Sequence, residues 1–184
     1  FEGMLSGKRM PFMDALARHS LELMVEHLPR SAEDPKDQDA RMGCMLATWL
    51  SIFALPNVGV GLSHGIGHQL AAEFDILHGI TSAVMLPHVM EFGAEHTRPQ
   101  LRAVAEAMGI DTRGHSDEQA SHHAVAQVRA LVDTVRVPSR LRELGVDHAR
   151  LNNVATNVMK DKAIAASPRA VTRDDILDLL HSAW

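Results

Sequence analysis

Four histidines, His64, His68, His78 and His88, fall in one largely uncharged segment running from Gly61 to Gly93. His64 and His68 are four residues apart, so on a helix their side chains leave one face about one turn from each other. Two imidazoles at that spacing can share a divalent metal, and such an ion acts as a Lewis acid on a carbonyl or an alkoxide. Spacing alone is weak ground, because the 12 histidines of this chain yield about one such pair by chance. The surroundings add to it. Gly61, Gly65 and Gly67 occupy the first turns of the same stretch, where each costs up to about 1 kcal/mol relative to Ala, which points to a close approach to the backbone. Only Glu73 and Asp75 carry charge between Gly61 and Met90. The histidines are therefore expected in an interior, where a neutral imidazole needs a partner.

The elements that would position these side chains read as helices. Apolar residues recur at three- and four-residue steps from Pro11 to Leu28, and Pro11 suits a first helical turn. Asp37 or Asp39 can cap a second helix to about Leu55, with Pro56-Asn57 as its break. Further helices are expected over Leu62 to Phe74, Ile80 to Glu95 and Pro99 to Met108, the last closed by Gly109. Ser116 with Gln119 forms a capping-box pattern for a helix to about Val135. Short helices follow near Ser139–Leu144 and Asp147–Met159, and Thr172 with Asp175 opens a last one through Leu180. No segment alternates with period two for long, and Val58-Gly59-Val60 reads as a loop. The expected fold class is all-α, a multi-helix bundle in one domain over residues 1–184. The turn at Phe74–Leu77 would fold the chain back and set His78, at the start of the next helix, against the His64/His68 face.

Composition narrows the classes of function. A net charge of -5, 4% aromatic residues, no Tyr and no basic run argue against a nucleic-acid surface. No apolar run reaches the roughly 18 residues of a membrane span, and no leader with a cleavage site is evident. The lone Cys44 fits a reducing compartment, so the expected location is cytoplasmic. The chain starts Phe1-Glu2-Gly3 with its first Met at position 4, and a fragment is expected.

Taken together, Gly61-Leu-Ser-His-Gly-Ile-Gly-His68, the ten-residue step to His78-Gly79, and Met85-Leu-Pro-His-Val-Met90 resemble the signature region of the iron-containing alcohol dehydrogenase family, which includes the related maleylacetate reductases. Met13-Asp-Ala-Leu-Ala17, Asp39-Ala-Arg-Met42, Ser167-Pro-Arg169 and Thr172-Arg-Asp-Asp175 are similar in character. The resemblance covers the whole chain, and only the family's C-terminal, dehydroquinate synthase-like helical domain. It implies a divalent metal, Fe2+ first and Zn2+ as the alternative, held by one Asp and three His between two domains. His64 and His78 resemble the two metal ligands that this domain supplies, and His68 resembles the histidine beside nicotinamide and substrate. The resemblance further implies NAD(P), a small-molecule alcohol or aldehyde substrate, and a homodimer or larger assembly. The family's other two ligands lie in an Asp-Ala-x-x-His stretch that would precede Phe1; Asp14-Ala15 echoes it, but position 18 is Arg. The N-terminal nucleotide-binding α/β domain is likewise not in these residues, so the chain alone is expected to be inactive. Two departures are local: Ala71-Ala72 stands where Gly is frequent, and Ile76-Leu77 replaces a common Pro.

Blander readings stand beside these. His88 follows Pro87 and can simply hydrogen-bond a carbonyl, while His122-His123 points to two helix faces and reads as solvated surface. His19, His27, His96, His115, His148 and His181 read as surface or capping residues. Cys44 reads as buried and inert, and the ten scattered Met as core filler. Two alternatives to the alcohol dehydrogenase reading remain: a maleylacetate reductase, and, from another class, a stand-alone helical binding module whose histidines are structural.

Overall fold

The computed structural model describes the backbone of residues 1–184 and the side chains of all but residues 54 and 55. Among the described residues there are helices and no strands. In chain order they are α1 (Glu2–Leu5), α2 (Pro11–Glu33), α3 (Gln38–Ile52), α4 (Ala54–Val58), α5 (Leu62–Phe74), α6 (His78–Ala107), α7 (Asp117–Thr134), α8 (Leu151–Val158) and α9 (Arg173–Ala183). Short 3-10 turns occupy Leu141–Leu144, His148–Arg150 and Lys162–Ala166.

Local chemistry sets most of the boundaries. Asp37 caps α3 by accepting from the Ala40 amide. Ser116 and Gln119 close a reciprocal capping box on α7, and Thr172 and Asp175 do the same on α9, which satisfies otherwise orphaned first-turn amides. Gly109 follows α6 in the left-handed region at φ 84°.

Prolines mark fewer boundaries than expected. Helix α2 continues through Pro29 to Glu33. The break after α3 falls at Phe53, and Pro56 and Asn57 lie inside the short α4. The two helices expected on either side of residues 96–98 meet at a kink, where Thr97 is non-helical (φ -131°, ψ 19°) two residues before Pro99; the label α6 covers both. A proline removes one helical hydrogen bond and crowds the carbonyl four residues back.

Two apolar clusters share α6. Leu62, Ile66 and Leu70 of α5 meet Val84 and Met85 of α6, Leu151, Val154 and Val158 of α8, and Ile176 and Leu180 of α9. The second cluster joins Met4 and Leu5 of α1, Leu21 of α2, Met90, Leu101 and Val104 of α6, and Val125 and Val128 of α7. Helices α2 and α3 form an antiparallel hairpin in which Ser20 Oγ donates to the Ala47 carbonyl at 2.8 Å. In the same hairpin the His27 ring lies over Gly43, leaving no room for a Cβ. The outer side of α3 leaves Met42, Met45, Trp49 and Ile52 exposed. Among the described residues no single helix is long and apolar enough to cross a membrane.

Candidate metal centre

Helix α5 turns Leu62, Ile66 and Leu70 into the core, which leaves His64 and His68 on the uncovered edge. Its N-terminus at Gly61 has no side-chain cap of its own. Glu2 of α1 takes that place: its carboxylate accepts from the Gly61 amide at 3.1 Å and from the Ser63 amide at 2.7 Å. The same carboxylate makes a short hydrogen bond with Nδ1 of His64. Burial opposes ionisation of Glu2 more than any other single influence, yet His64 and the two amides together hold it below the usual carboxylate value.

One turn further on, Nδ1 of His68 meets Asp161 Oδ2 at 3.0 Å. The Gln69 amide reaches the same oxygen at 3.3 Å, while Oδ1 of Asp161 accepts from the Ala163 amide at 2.9 Å. Burial again pushes the other way, and these partners hold Asp161 below its ordinary value.

His78 stands in the first turn of α6, after a reversal in which Asp75 adopts the left-handed region at φ 53°. Thr81 Oγ1 ties the two helices together by donating to the Gly67 carbonyl at 3.1 Å. At that crossing a Cβ on Gly67 would stand 2.5 Å from Ser82 Oγ and 3.3 Å from the His78 ring. The close approach that the glycines implied is therefore made by neighbouring protein elements.

The three rings converge. Centroids are 4.8 Å apart for His68 and His78, which stack, 5.3 Å for His64 and His78, and 6.3 Å for His64 and His68. Burial, and then the neighbouring His64 and His68, push the His78 imidazole below its usual range, so it is neutral at neutral pH and carries a lone pair. Nδ1 of His78 is buried without a hydrogen-bond partner, and Nε2 reaches only Ser82 Oγ, at 3.4 Å. Together the rings line a cavity of about 450 Å³ with Ser51, Ile52 and Val60. The expectation of an interior site is corrected here. His68 is exposed and His64 and His78 half-buried, because the apolar side of α5 alone is covered. Among the described residues no group of three or more His, Cys, Asp or Glu is arranged to hold a metal by itself.

The other histidines divide. His88 bonds the Ser182 hydroxyl at 3.0 Å where a carbonyl was expected, on the far side of α6. His122 and His123 are exposed, as expected, whereas His27 and His115 are half-buried and each hides an Nδ1 with no hydrogen-bond partner. Cys44 is half-buried, less covered than expected, and loss of solvation pushes its thiol up.

The profile of the Fe-containing alcohol dehydrogenase family, C-terminal, matches residues 1–184. The chain belongs to the iron-containing alcohol dehydrogenase family. Among curated relatives in this family, lactaldehyde reductase of Escherichia coli (strain K12) is 34% identical over 183 residues, which are 100% of this chain and 47% of that protein. The 1,3-propanediol dehydrogenase of Klebsiella pneumoniae is 28% identical, with the same two shares covered. The crystal structure of a 1,3-propanediol oxidoreductase superposes with a TM-score of 0.97 at 28% identity, over 100% of this chain and 48% of that one. Maleylacetate reductase from Agrobacterium tumefaciens superposes at 0.82 and 28% identity, again over 100% and 48%. The chain thus spans about half the length of the curated relatives it matches, and its all-α architecture is that of the family's C-terminal domain. Glu2 and Asp161 escaped the reading of the sequence. Neither carries a local signal, since they meet their histidines across 62 and 93 residues.

Proposed function

We propose that this chain is the helical half of the active site of an NAD(P)-linked oxidoreductase acting on small alcohols and aldehydes. In this reading His64 and His78 hold a divalent metal, and His68 positions the substrate and carries its proton. The observation behind the reading is the convergence of three imidazoles on one wall of an open cleft. The residues fit a cation: His78 is held neutral and has a buried nitrogen without a partner, and Glu2 occupies Nδ1 of His64 and leaves Nε2 open. Imidazole donors suit Fe2+ or Zn2+. When bound, the ion supplies Lewis-acid polarisation of the substrate oxygen. An N-terminal nucleotide-binding domain would contribute the remaining Asp and His ligands and the NAD(P), in keeping with relatives about twice as long.

The chain's own residues do the rest. His68, exposed and backed by Asp161, can take a proton at Nε2, and Ile52 and Val60 give the cleft an apolar wall suited to a short carbon chain. We include a cytoplasmic location and a homodimer or larger assembly in the proposal. Both alcohol dehydrogenases and maleylacetate reductases superpose on the chain, and assay of both substrate classes separates the two readings.

Metal analysis of the intact protein tests the assignment. His64→Ala and His78→Ala are each expected to lose bound metal and turnover, whereas unchanged metal content and rate in both variants would refute it. A stand-alone binding module instead predicts a native protein whose intact mass is that of this chain alone.

A further inference from the structure

Two carboxylates hold the cleft histidines, each at one ring nitrogen. Glu2 and Asp161 come from opposite ends of the chain, and each meets one Nδ1, of His64 and His68 respectively. A neutral imidazole carries its proton on one nitrogen and its lone pair on the other, and an ionised carboxylate can only accept. A carboxylate at Nδ1 therefore requires the N–H there and leaves the lone pair on Nε2.

We propose that Glu2 and Asp161 are positioning residues that lock His64 and His68 in the Nδ1–H tautomer, so that both rings present Nε2 to the cleft they share with His78. The inference deepens the metal-site reading above and rests on it for its consequence.

Helix capping accounts for only part of these contacts. Glu2 satisfies the first amides of α5 through Ser63 and Gly61, and a cap needs no third partner, yet its carboxylate also holds His64. Asp161 divides its oxygens: Oδ1 caps the 3-10 turn through Ala163, and Oδ2 takes His68 and Gln69. The Glu2 side chain is only 9% exposed and that of Asp161 15%, so water competes little for either oxygen pair. Each carboxylate thus ties a remote element to α5 and sets the face of one imidazole. A ligand histidine whose second nitrogen is held by a carboxylate has a defined tautomer and ring orientation. The same arrangement on His68 leaves a proton-accepting Nε2 and an Nδ1–H that stays bonded to Asp161.

The test is NMR of the metal-free intact protein labelled with 15N-histidine, above neutral pH, with the two rings assigned through His64→Gln and His68→Gln. The wild type is expected to show Nδ1–H at both positions. Glu2→Ala should move His64 to the Nε2–H form preferred by free imidazole and leave His68 unchanged; Asp161→Ala should do the reverse. An Nε2–H form at either histidine in the wild type would overturn the inference, and so would tautomers that persist in the Ala variants. Because Glu2 also caps α5, Glu2→Gln, which keeps an oxygen for the Ser63 amide, serves a second readout: Co2+ affinity of the intact protein should fall about 10- to 100-fold. Equal Co2+ affinity in wild type and Glu2→Gln would remove the positioning role with the metal site intact. A wild type that binds no Co2+ would instead refute the metal reading, and the tautomers would still decide what the carboxylates do.

Discussion

Stacked 4.8 Å from His68, His78 is kept neutral by burial and by its neighbours, and the proposed function gives these two adjacent imidazoles different tasks. Replacement separates them. His68→Ala is expected to lower kcat by about 10²- to 10⁴-fold, the usual contribution of a positioned proton-transfer group, while metal content by elemental analysis stays at the wild-type level. His78→Ala should lose the metal itself. Loss of metal in His68→Ala would reassign that residue to ligation. At this scale the step of four made His64 and His68 legible as one helix face, and the family resemblance added His78. Glu2 and Asp161 were not legible, because a hydrogen bond across 62 or 93 residues has no period along the chain.

The crossing of α5 over α6 depends on Gly67, whose absent Cβ makes room for Ser82, Thr81 and His78. Gly67→Ala is expected to destabilise the protein by about 1–3 kcal/mol, the usual effect of overpacking, and to weaken metal binding because His78 must shift; denaturant titration and metal analysis read the two effects. Gly43→Ala, whose Cβ would run into the His27 ring, should cost a similar ~1–3 kcal/mol and leave the proposed metal site untouched, which makes it the control. Capping was the most legible element-level signal, since both capping boxes form as their sequence patterns imply.

Asp175 extends that argument to pH. Its bonds to Thr172, with Arg169 beside it, hold its carboxyl below the usual Asp value. A group that is more acidic when folded stabilises above its unfolded pKa, about 3.9 for Asp, and that contribution disappears as pH falls through the lower folded value. Asp175→Asn should therefore melt below the wild type at neutral pH by about 1 kcal/mol, the scale of a helix cap. The two melting temperatures should converge on acidification below about pH 3.9. A gap that stays constant across that window would show that ionisation of Asp175 contributes nothing.

Over the whole molecule, two cores joined by α6 support one open wall of a cleft. The proposal is that the facing wall belongs to a nucleotide-binding domain. Purified by itself, the 184-residue chain is expected to show no NAD(P)H consumption with short aldehydes, with or without added Fe2+ or Zn2+, in a spectrophotometric assay. Measurable turnover by the chain alone would contradict the division of labour.

Composition and periodicity by themselves determined the all-α class, the capping boxes of α7 and α9, and the placing of His64 and His68 on one helix face. Those are properties of local steps of three and four residues, which a helix converts directly into shared faces. Tertiary structure decided the rest. It left the histidines on an open edge, because α5 has only one apolar stripe to cover. It also brought Glu2 and Asp161 to the two imidazoles, since only packing can join residues so far apart in the chain.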